Sequence, residues 1–289
     1  MKHGVVVIDK PTGMTSHDVV NHCRKVLGIK KIGHTGTLDP DATGVLVLCI
    51  GQATKIIPFL EEADKGYEAQ IAFGTSTTTL DAQGDIVDQV HVDSLFSLDE
   101  ALAALKAVTK LKPPQVSAVK VAGKKLYEYA RKGIHVDVEA RPMQVHQAEV
   151  INPMILKDGH AVVELALTVS KGSYIRSMVE YLGEVVGLPA HLARLRRTHS
   201  GVFQLRDAVS LESFDADTPL LSMEAALGFA QVHVDASTHT DITNGKSIPN
   251  THGHSGYVTI MHQHACAIYQ AQGDWLHPAR VFYYEDSSH

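Results

Sequence analysis

The chain has 289 residues, of which 44% are hydrophobic, and its formal net charge at pH 7 is -6. This length allows one large domain with a smaller one beside it, and the composition is typical of a globular protein with a substantial core. No run of about eighteen apolar residues occurs and the chain starts directly with a short strand-like segment, so we expect neither a membrane span nor a signal peptide. We therefore expect a cytoplasmic protein whose scattered Cys23, Cys49 and Cys266 are reduced thiols.

Charge is distributed unevenly along the chain. Residues 211–289 contain nine acidic and two basic side chains, whereas residues 1–210 contain 23 acidic and 24 basic ones. The first part holds three basic clusters, which are Arg24, Lys25, Lys30 and Lys31; Lys120, Lys124, Lys125, Arg131 and Lys132; and Arg194, Arg196, Arg197 and Arg206. Such clusters are usually solvated surface, and they form a nucleic-acid groove only if the fold brings them together.

The first fifty residues predict a strand, a helix and a rigid loop. Residues 5–9 (VVVID) have the apolar, β-branched character of a strand, and Ser16 is a suitable N-cap for a helix that Gly28 ends. Residues 33–44 (GHTGTLDPDATG) follow as a glycine-rich loop. Residues 45–50 (VLVLCI) predict a buried strand behind that loop.

Asp39 is the acidic residue at the centre of this loop. Pro40 fixes its own φ and disfavours the α region for Asp39, while Gly33, Gly36 and Gly44 permit backbone angles that other residues avoid. The carboxylate is therefore predicted to sit on a stiff support. Taken alone, Asp followed by Pro is also an ordinary way to start a helix, so the spacing does not by itself assign chemistry to Asp39.

The middle of the chain alternates strands, loops and short helices. The predicted elements are a strand at 66–73 with Tyr67 near its start, a polar loop at 75–84, a helix opened by a capping box at 97–100 (SLDE), a short strand at 116–121, a short basic helix at 124–132, and paired strands at 145–153 and 161–170.

The second half predicts two helices and then a β-rich end. Ser173 is predicted to begin a helix that carries Arg176 in its first turn, where the helix dipole disfavours a cation. An acidic partner would resolve that conflict, and Asp39 is the candidate; a solvated arginine is the alternative. The remaining elements are a helix at 188–197, a strand at 202–205, and, beyond a boundary near residue 228, β-rich segments at 242–248, 256–269 and 275–284.

Several short blocks occur in an order that points to one family. Beside residues 33–44, they are DKPTGMTS at 9–16, KGY at 65–67, TTTLDAQG at 77–84, PPQVSAVK at 113–120, GKKLYEYARKG at 123–133, KGSYIR at 171–176, LRR at 195–197 and LHPARVF at 276–282. Together they make the chain resemble the bacterial tRNA pseudouridine synthase B (TruB) family over most of its length.

This resemblance implies both a fold and an activity. The fold is of the α+β class, with a mixed, largely antiparallel central sheet flanked by helices at residues 1–227 and a small PUA-like RNA-binding module at residues 228–289. The activity is isomerisation of uridine 55 in the T-loop of tRNA to pseudouridine after base flipping, without metal or organic cofactor. We expect a monomer without an obligate protein partner, although the acidity of the module is unusual for one that grips RNA.

Residue roles carried over from the family centre on Asp39. The resemblance implies that Asp39 is the essential carboxylate, that Tyr67 stacks on the flipped base and assists removal of the C5 proton, and that Arg176 pairs with Asp39. The further candidates are Leu195 as the apolar floor, His34 as the side chain inserted into the RNA loop, Lys171 and Tyr174 as substrate-binding residues, and Lys10 with Pro11 as braces of the site. Tyr181 departs from the family, which has an acid there.

Two other patterns in the sequence resemble ligand sites without meeting their requirements. Gly245, Lys246 and Ser247 lack the upstream glycine of a phosphate-binding loop. His262, His264 and Cys266 would share one strand face and could bind zinc, but no paired-cysteine spacing supports a site, so we expect no metal.

Two rival functions remain open from the residues themselves. One is an RNA-binding or RNA-folding factor without catalysis, which would use the same cleft. The other is a carboxylate hydrolase of N-glycosides, for which the candidate acids are Asp39, Asp41, Asp81 and Asp85.

Overall fold

A computed structural model describes residues 2–282 of the protein. The strands of the larger part are β1 (Gly4–Lys10), β2 (Ile32–His34), β3 (Thr43–Ile50), β4 (Lys65–Phe73), β5 (Thr75–Thr77), β6 (Ile86–Gln89), β7 (Lys110–Leu111), β8 (Lys120–Val121), β9 (Lys124–Lys125), β10 (Arg141–Pro142), β11 (Val145–Lys157), β12 (His160–Val169), β13 (Ala190–Ser200), β14 (Phe203–Gln204) and β15 (Val209–Ser210). The later strands are β16 (Ala230–His233), β17 (Ile248–Pro249), β18 (Tyr257–His262), β19 (His264–Gln272) and β20 (Trp275–Val281). The α-helices are α1 (Ser16–Leu27), α2 (Ile57–Leu60), α3 (Asp99–Ala107), α4 (Leu126–Ala130), α5 (Ile175–Val186), α6 (Met223–Leu227) and α7 (Ala236–Thr243).

One nine-stranded sheet organises the larger part of the molecule. Its strand order is β11-β12-β4-β13-β3-β1-β15, with β14 added to β13 and β2 added to β3. All pairings are antiparallel except β1 with β15 and β13 with β3. The sheet confirms the predicted mixed, largely antiparallel architecture.

Helices pack on apolar faces of the sheet. Residues 45–50 in β3 are fully buried, as their continuous hydrophobic run predicts. Helix α1 packs Val19, Val20 and Cys23 against β1 and β3, while α3 and α5 contribute to the core over β4, β12 and β13. These helices exclude water from the sheet from which the site residues project.

The C-terminal part forms a separate sheet that shares apolar contacts with the first. Its five strands follow the order β16-β18-β19-β20-β17, which confirms a β-rich module. The predicted segment 242–248 is wrong in part, because it begins in helix α7 and only its last residue lies in a strand, β17. A buried cluster joins Val5 and Val47 of the larger sheet to Ile268 of β19, and the ring of Phe59 lies 5.1 Å from that of Tyr257. The boundary near residue 228 therefore stays a prediction, and residues 283–284 of the last predicted segment lie outside the described residues.

The largest correction concerns residues 188–197, of which 190–197 lie in strand β13 and none lies in a helix. Leucines at positions 192 and 195 have helical spacing, but β13 pairs with β4 along one edge and with β3 along the other. A central position in the sheet buries Arg197 and supplies it with carbonyl partners, so tertiary pairing overrides the local pattern.

Smaller corrections concern helix starts and short segments. Thr15, not Ser16, caps α1, and its side chain accepts from the Asp18 backbone N–H. The predicted capping box before α3 does not form, because Leu98 occupies the N-cap position and the Ser97 hydroxyl contacts Asp99 instead. Helix α5 begins at Ile175, two residues after the predicted start.

Two predicted loop and strand assignments also change. The segment 75–84 begins with β5, which pairs with β6, and only the last two residues of the predicted strand at 116–121 are extended, as β8. Among the described residues, no helix is long and apolar enough to cross a membrane.

Candidate active site

The Asp39 loop connects β2 to β3 and is fastened at both ends. The hydroxyl of Ser16 accepts from the Leu38 N–H at 2.8 Å and donates to the Leu38 carbonyl at 3.0 Å. At the other end, Gly44 has a φ of 100°, and a Cβ there would lie 2.2 Å from the carbonyl oxygen of Arg197. Glycine is therefore required where the loop enters β3, because β13 passes directly against it.

Two buried cations hold the carbonyl groups of the loop. Lys10 is fully buried, and its Nζ donates to the carbonyls of Met14 at 2.5 Å and Pro40 at 2.8 Å. Arg197 is 1% exposed, and it donates from Nε to the Val45 carbonyl at 2.6 Å and from Nη2 to the Gly36 carbonyl at 3.2 Å. Directional hydrogen bonds from these charged donors fix the backbone on either side of Asp39.

Arg176 bridges Asp39 to a second carboxylate. Its Nη2 lies 3.0 Å from Oδ2 of Asp39, and its Nη1 lies 3.7 Å from Oδ2 of Asp81. The predicted Asp39–Arg176 pair is therefore present. The same guanidinium donates to the carbonyls of Thr79 and Val116, each at 3.0 Å, so all contacts hold it in one orientation.

The electrostatic surroundings of Asp39 act in opposite directions. Loss of solvation on burial raises the pKa of Asp39 above its ordinary value. The positive charge of Arg176 lowers that pKa, and the negative charge of Asp81 raises it. The net direction is upward. The carboxylate still reaches solvent, with a side chain 45% exposed, so it stands ready for a reactant while its guanidinium partner is buried.

Asp39 lies where three cavities meet. The first, of about 600 Å³, is also lined by Asp81, Arg194 and Leu195. The second, of about 250 Å³, is a narrower pocket beside the sheet. The third, of about 880 Å³, opens past His34. One carboxylate therefore faces a pocket and two wider grooves.

The narrow pocket brings together the predicted base-binding residues. Tyr67, Tyr174 and Leu195 line it with Asp39 and Arg176. Tyr67 comes from β4, where it is 8% exposed, and Leu195 comes from β13 next to it. Burial raises the pKa of Tyr174, so its hydroxyl stays protonated over a wide pH range.

The widest groove carries aromatic and basic groups near its entrance. His34 lines it from one side, and Tyr127 of α4 lines it from another. Lys125 Nζ lies 5.4 Å and the Arg131 guanidinium carbon 5.2 Å from the centre of the Tyr127 ring, so two cations flank one aromatic ring. The second basic cluster therefore does reach the cleft.

Neither Lys10, the candidate brace, nor Lys171, a candidate substrate-binding residue, lines the three cavities that meet at Asp39. Lys10 lines a separate cavity of about 430 Å³, and its ammonium is enclosed by carbonyl groups, so its position is that of a brace. Lys171 is exposed and contacts Glu62 at the surface, while the neighbouring Gly172 and Ser173 reach the narrow pocket.

Sequence reasoning missed the positions of Asp81 and Arg197. Asp81 entered only as one of several acids for a hydrolase, yet it shares Arg176 with Asp39. Arg197 was grouped with exposed basic residues, yet it is a buried tie between β13 and the loop. Residues 194–200 (RLRRTHS) are mostly basic or polar, so the sequence gives no local signal that Arg197 is buried.

The expectation that His262, His264 and Cys266 share one strand face is wrong. His262 and His264 face each other across the turn between β18 and β19, so the three side chains do not share one strand. Across residues 2–282, the structure brings no three histidine, cysteine or acidic side chains together in a geometry for a metal ion.

The fold and sequence are similar to those of known proteins. The archaeal box H/ACA sRNP Nop10-Cbf5 complex and an H/ACA RNP bound to a substrate RNA containing 2'-deoxyuridine hold chains with TM-scores of 0.66 and 0.67 to this chain. The identities are 24% and 23%, and the matches cover 98% of this chain and 87% and 86% of those chains. At such identity the likeness shows a shared fold.

Sequence comparison then defines the family. The protein-family model described as "TruB family pseudouridylate synthase (N terminal domain)" matches residues 24–175. A tRNA pseudouridine synthase B of Bacillus thuringiensis (strain Al Hakam) is 43% identical over 259 residues, which cover 86% of this chain and 84% of that protein. One from Bacillus cytotoxicus is 40% identical over 282 residues, 92% of each chain. The chain belongs to the TruB family of pseudouridylate synthases and is therefore an isomerase that acts on RNA.

Proposed function

We propose that the protein isomerises uridine 55 in the T-loop of tRNA to pseudouridine, with Asp39 as the reacting carboxylate. The observation that carries this proposal is the position of Asp39, which pairs with a buried arginine at the junction of a narrow pocket and two wide grooves. The names of the relatives, tRNA pseudouridine synthase B, support tRNA as the substrate.

The reaction breaks the bond from C1′ of the ribose to N1 of the base and forms one from C1′ to C5. N1 gains a proton and C5 loses one, so no oxidant, reductant or co-substrate is needed. An ionised carboxylate serves each available route, whether it attacks the base, attacks the sugar, or removes a proton from the ribose. Arg176 favours this ionised state of Asp39 and keeps its oxygens turned toward the cleft.

The narrow pocket is suited to a base that has left the RNA stack. Its volume of about 250 Å³ lies just below the range of roughly 300–1,000 Å³ that is usual for ligand pockets. The ring of Tyr67 and the side chain of Leu195 supply apolar contact for the base, which offsets part of the few kcal/mol that flipping costs. Tyr67 is also the candidate group to assist removal of the C5 proton.

The wide groove past His34 is the proposed path of the RNA loop. His34 would occupy the space that the flipped base leaves, and Tyr127 offers an aromatic face for a neighbouring base. Lys125 and Arg131 place positive charge beside that ring, where phosphates of the loop would lie.

The cysteines bear on the cellular setting. Cys23, Cys49 and Cys266 are free thiols, which supports a reducing compartment, and we propose the cytoplasm. We further propose that the chain acts as a monomer, that residues 228–289 act as an RNA-binding module, and that no cofactor takes part.

Tritium release tests the function and the position together. A tRNA transcript with C5-tritiated uridine is compared with the same transcript carrying cytidine at position 55. We expect the protein to release tritium from the first and none from the second. Equal release from both transcripts would contradict the assignment to position 55. Release of free uracil would show that the protein hydrolyses the N-glycosidic bond and does not isomerise the uridine.

A further inference from the structure

A basic cluster lies at the seam between the larger sheet and the C-terminal sheet. The carbonyl of Lys31 accepts from the Gly51 N–H at 2.8 Å, where a 3-10 helix (Gly51–Ile56) begins. Lys55, one turn further along that helix, donates from Nζ to the carbonyl of Val281 at 3.2 Å. Arg280 precedes Val281 in β20, so cations from three separate chain segments converge there.

The charges of this cluster act on one another. Burial lowers the pKa of Lys55, and repulsion from Lys31 and Arg280 lowers it further. Together with the hydrogen bond from Lys55 to the carbonyl next to Arg280, this repulsion is consistent with three cations within electrostatic reach of one another. Lys31 and Arg280 are exposed, and neither forms an ion pair with a side chain in the described part of the chain.

Arg280 differs from the other basic residue of the C-terminal part in having no acidic side chain paired with it among the described residues. Residues 211–289 contain only two basic side chains, Lys246 and Arg280. Lys246 is paired with Asp241 of helix α7 at 2.7 Å. The acidic module therefore directs its other cation toward the lysines of the larger part.

The seam is continuous with the catalytic cleft. Strand β2 runs from Ile32 to His34, so Lys31 precedes by three residues the histidine that lines the widest groove. At roughly 3.3 Å per residue, this separation is about 10 Å along the strand. A strand of RNA that leaves the groove at His34 can reach the seam within a few nucleotides.

We propose that Lys31, Lys55 and Arg280 form a phosphate-binding seam that holds the backbone of the RNA substrate outside the catalytic cleft. This inference rests on the proposed function for the identity of the polyanion. It also gives the acidic module one defined place of contact with RNA, through Arg280. The seam neutralises phosphates without reading bases, so its contribution is to affinity and not to chemistry.

Salt-dependent binding of an unmodified tRNA transcript tests the seam. The double variant Lys31→Gln/Arg280→Gln removes the two exposed charges and leaves Lys55 and its hydrogen bond in place. Each lost phosphate contact should reduce the slope of log K against log salt by roughly 0.7–0.9, so the slope should fall by about 1.5. At low salt we expect a Kd raised roughly fivefold or more, with kcat at saturating RNA unchanged.

Two variants serve as matched controls. Lys246→Gln removes the other cation of the module and should leave slope and Kd unchanged. Lys31→Arg/Arg280→Lys keeps both charges and should restore wild-type binding, which separates charge from misfolding. An unchanged slope in the Gln double variant would overturn the seam, whereas absence of isomerisation by the wild type would instead overturn the proposed function.

Discussion

The Asp39 loop and the C-terminal sheet are held by different kinds of interaction. Around the loop, the side chains of Lys10, Arg176 and Arg197 are buried cations that donate to carbonyl or carboxylate oxygens. The C-terminal sheet instead packs an apolar cluster that includes Ile260 and Tyr269. Charge is thus buried in one region and kept at the surface in the other.

The two kinds of interaction have different consequences: one positions single atoms, and the other holds a whole sheet in place. Charge-assisted hydrogen bonds are directional, so they fix where a reacting carboxylate and its supporting backbone lie. Apolar burial is non-directional and holds a sheet in place without specifying any one atom. Substitutions in the first region should therefore affect chemistry or unfolding strongly, and substitutions at the contact between the sheets should have modest effects.

Among substitutions of the residues around Asp39, the largest effect should come from Arg176→Gln. The variant leaves Asp39 and Asp81 facing each other without the shared guanidinium, and the orientation of Asp39 is lost. We expect kcat to fall by roughly 10²–10³ with little change in RNA affinity. Single-turnover pseudouridine formation measures it, with Arg176→Lys as the charge-preserving comparison. A rate of Arg176→Gln within threefold of that of the wild type would contradict the role of Arg176 in positioning Asp39.

Arg197→Gln should chiefly lower stability. It leaves the buried carbonyls of Val45 and Gly36 without their charged donor, which should reduce the free energy of unfolding by roughly 2–4 kcal/mol. Urea denaturation measures the change. The matched control is Arg206→Gln at an exposed side chain, which should stay within about 0.5 kcal/mol of wild type. Equal effects in both variants would contradict the role of Arg197 as an internal tie.

The pH profile of kcat/KM should shift in opposite directions when Asp81 and Arg176, the two charged neighbours of Asp39, are substituted. Because the reacting carboxylate must be ionised, kcat/KM should fall as pH drops through the raised pKa of Asp39. Asp81→Asn removes a like charge that raises this pKa, so the acidic limb should move to lower pH. Residual activity of Arg176→Gln should show the limb at higher pH. Shifts in the same direction would contradict the shared-guanidinium geometry.

The smallest effect should come from the contact between the two sheets. The ring of Phe59 lies edge-on to those of Tyr257 and Phe229, at 5.1 and 6.3 Å. Phe59→Leu keeps an apolar side chain but loses these ring contacts, so we expect about 1 kcal/mol less stability and no change in kcat. Thermal unfolding at low and high salt should show the same loss, since the contact carries no charge.

The sequence predicts the parts of the site that local chemistry controls. Residues 33–50 show a glycine-rich loop before an apolar run, and the structure has a glycine-requiring loop before the buried strand β3. Arg176 in a helical first turn is in conflict with the helix dipole, which pointed to an acidic partner, and the structure supplies Asp39.

The remaining features depend on contacts between distant segments. Residues 190–200 have leucines at helical spacing, and only their pairing with β3 and β4 makes them a strand. The roles of Arg197 and Asp81 follow from that pairing and from the approach of α5, with partners far along the chain. A single sequence contains no local signal for such contacts.

The central claim is that Asp39 is the reacting carboxylate. Single-turnover isomerisation of a tRNA transcript, with enzyme in excess, tests it through Asp39→Asn beside Asp41→Asn, a change to the exposed acid two residues further along the same loop. We predict that Asp39→Asn binds the transcript like wild type and forms no pseudouridine, whereas Asp41→Asn remains active. Pseudouridine formation by Asp39→Asn at a rate near that of Asp41→Asn would contradict the account.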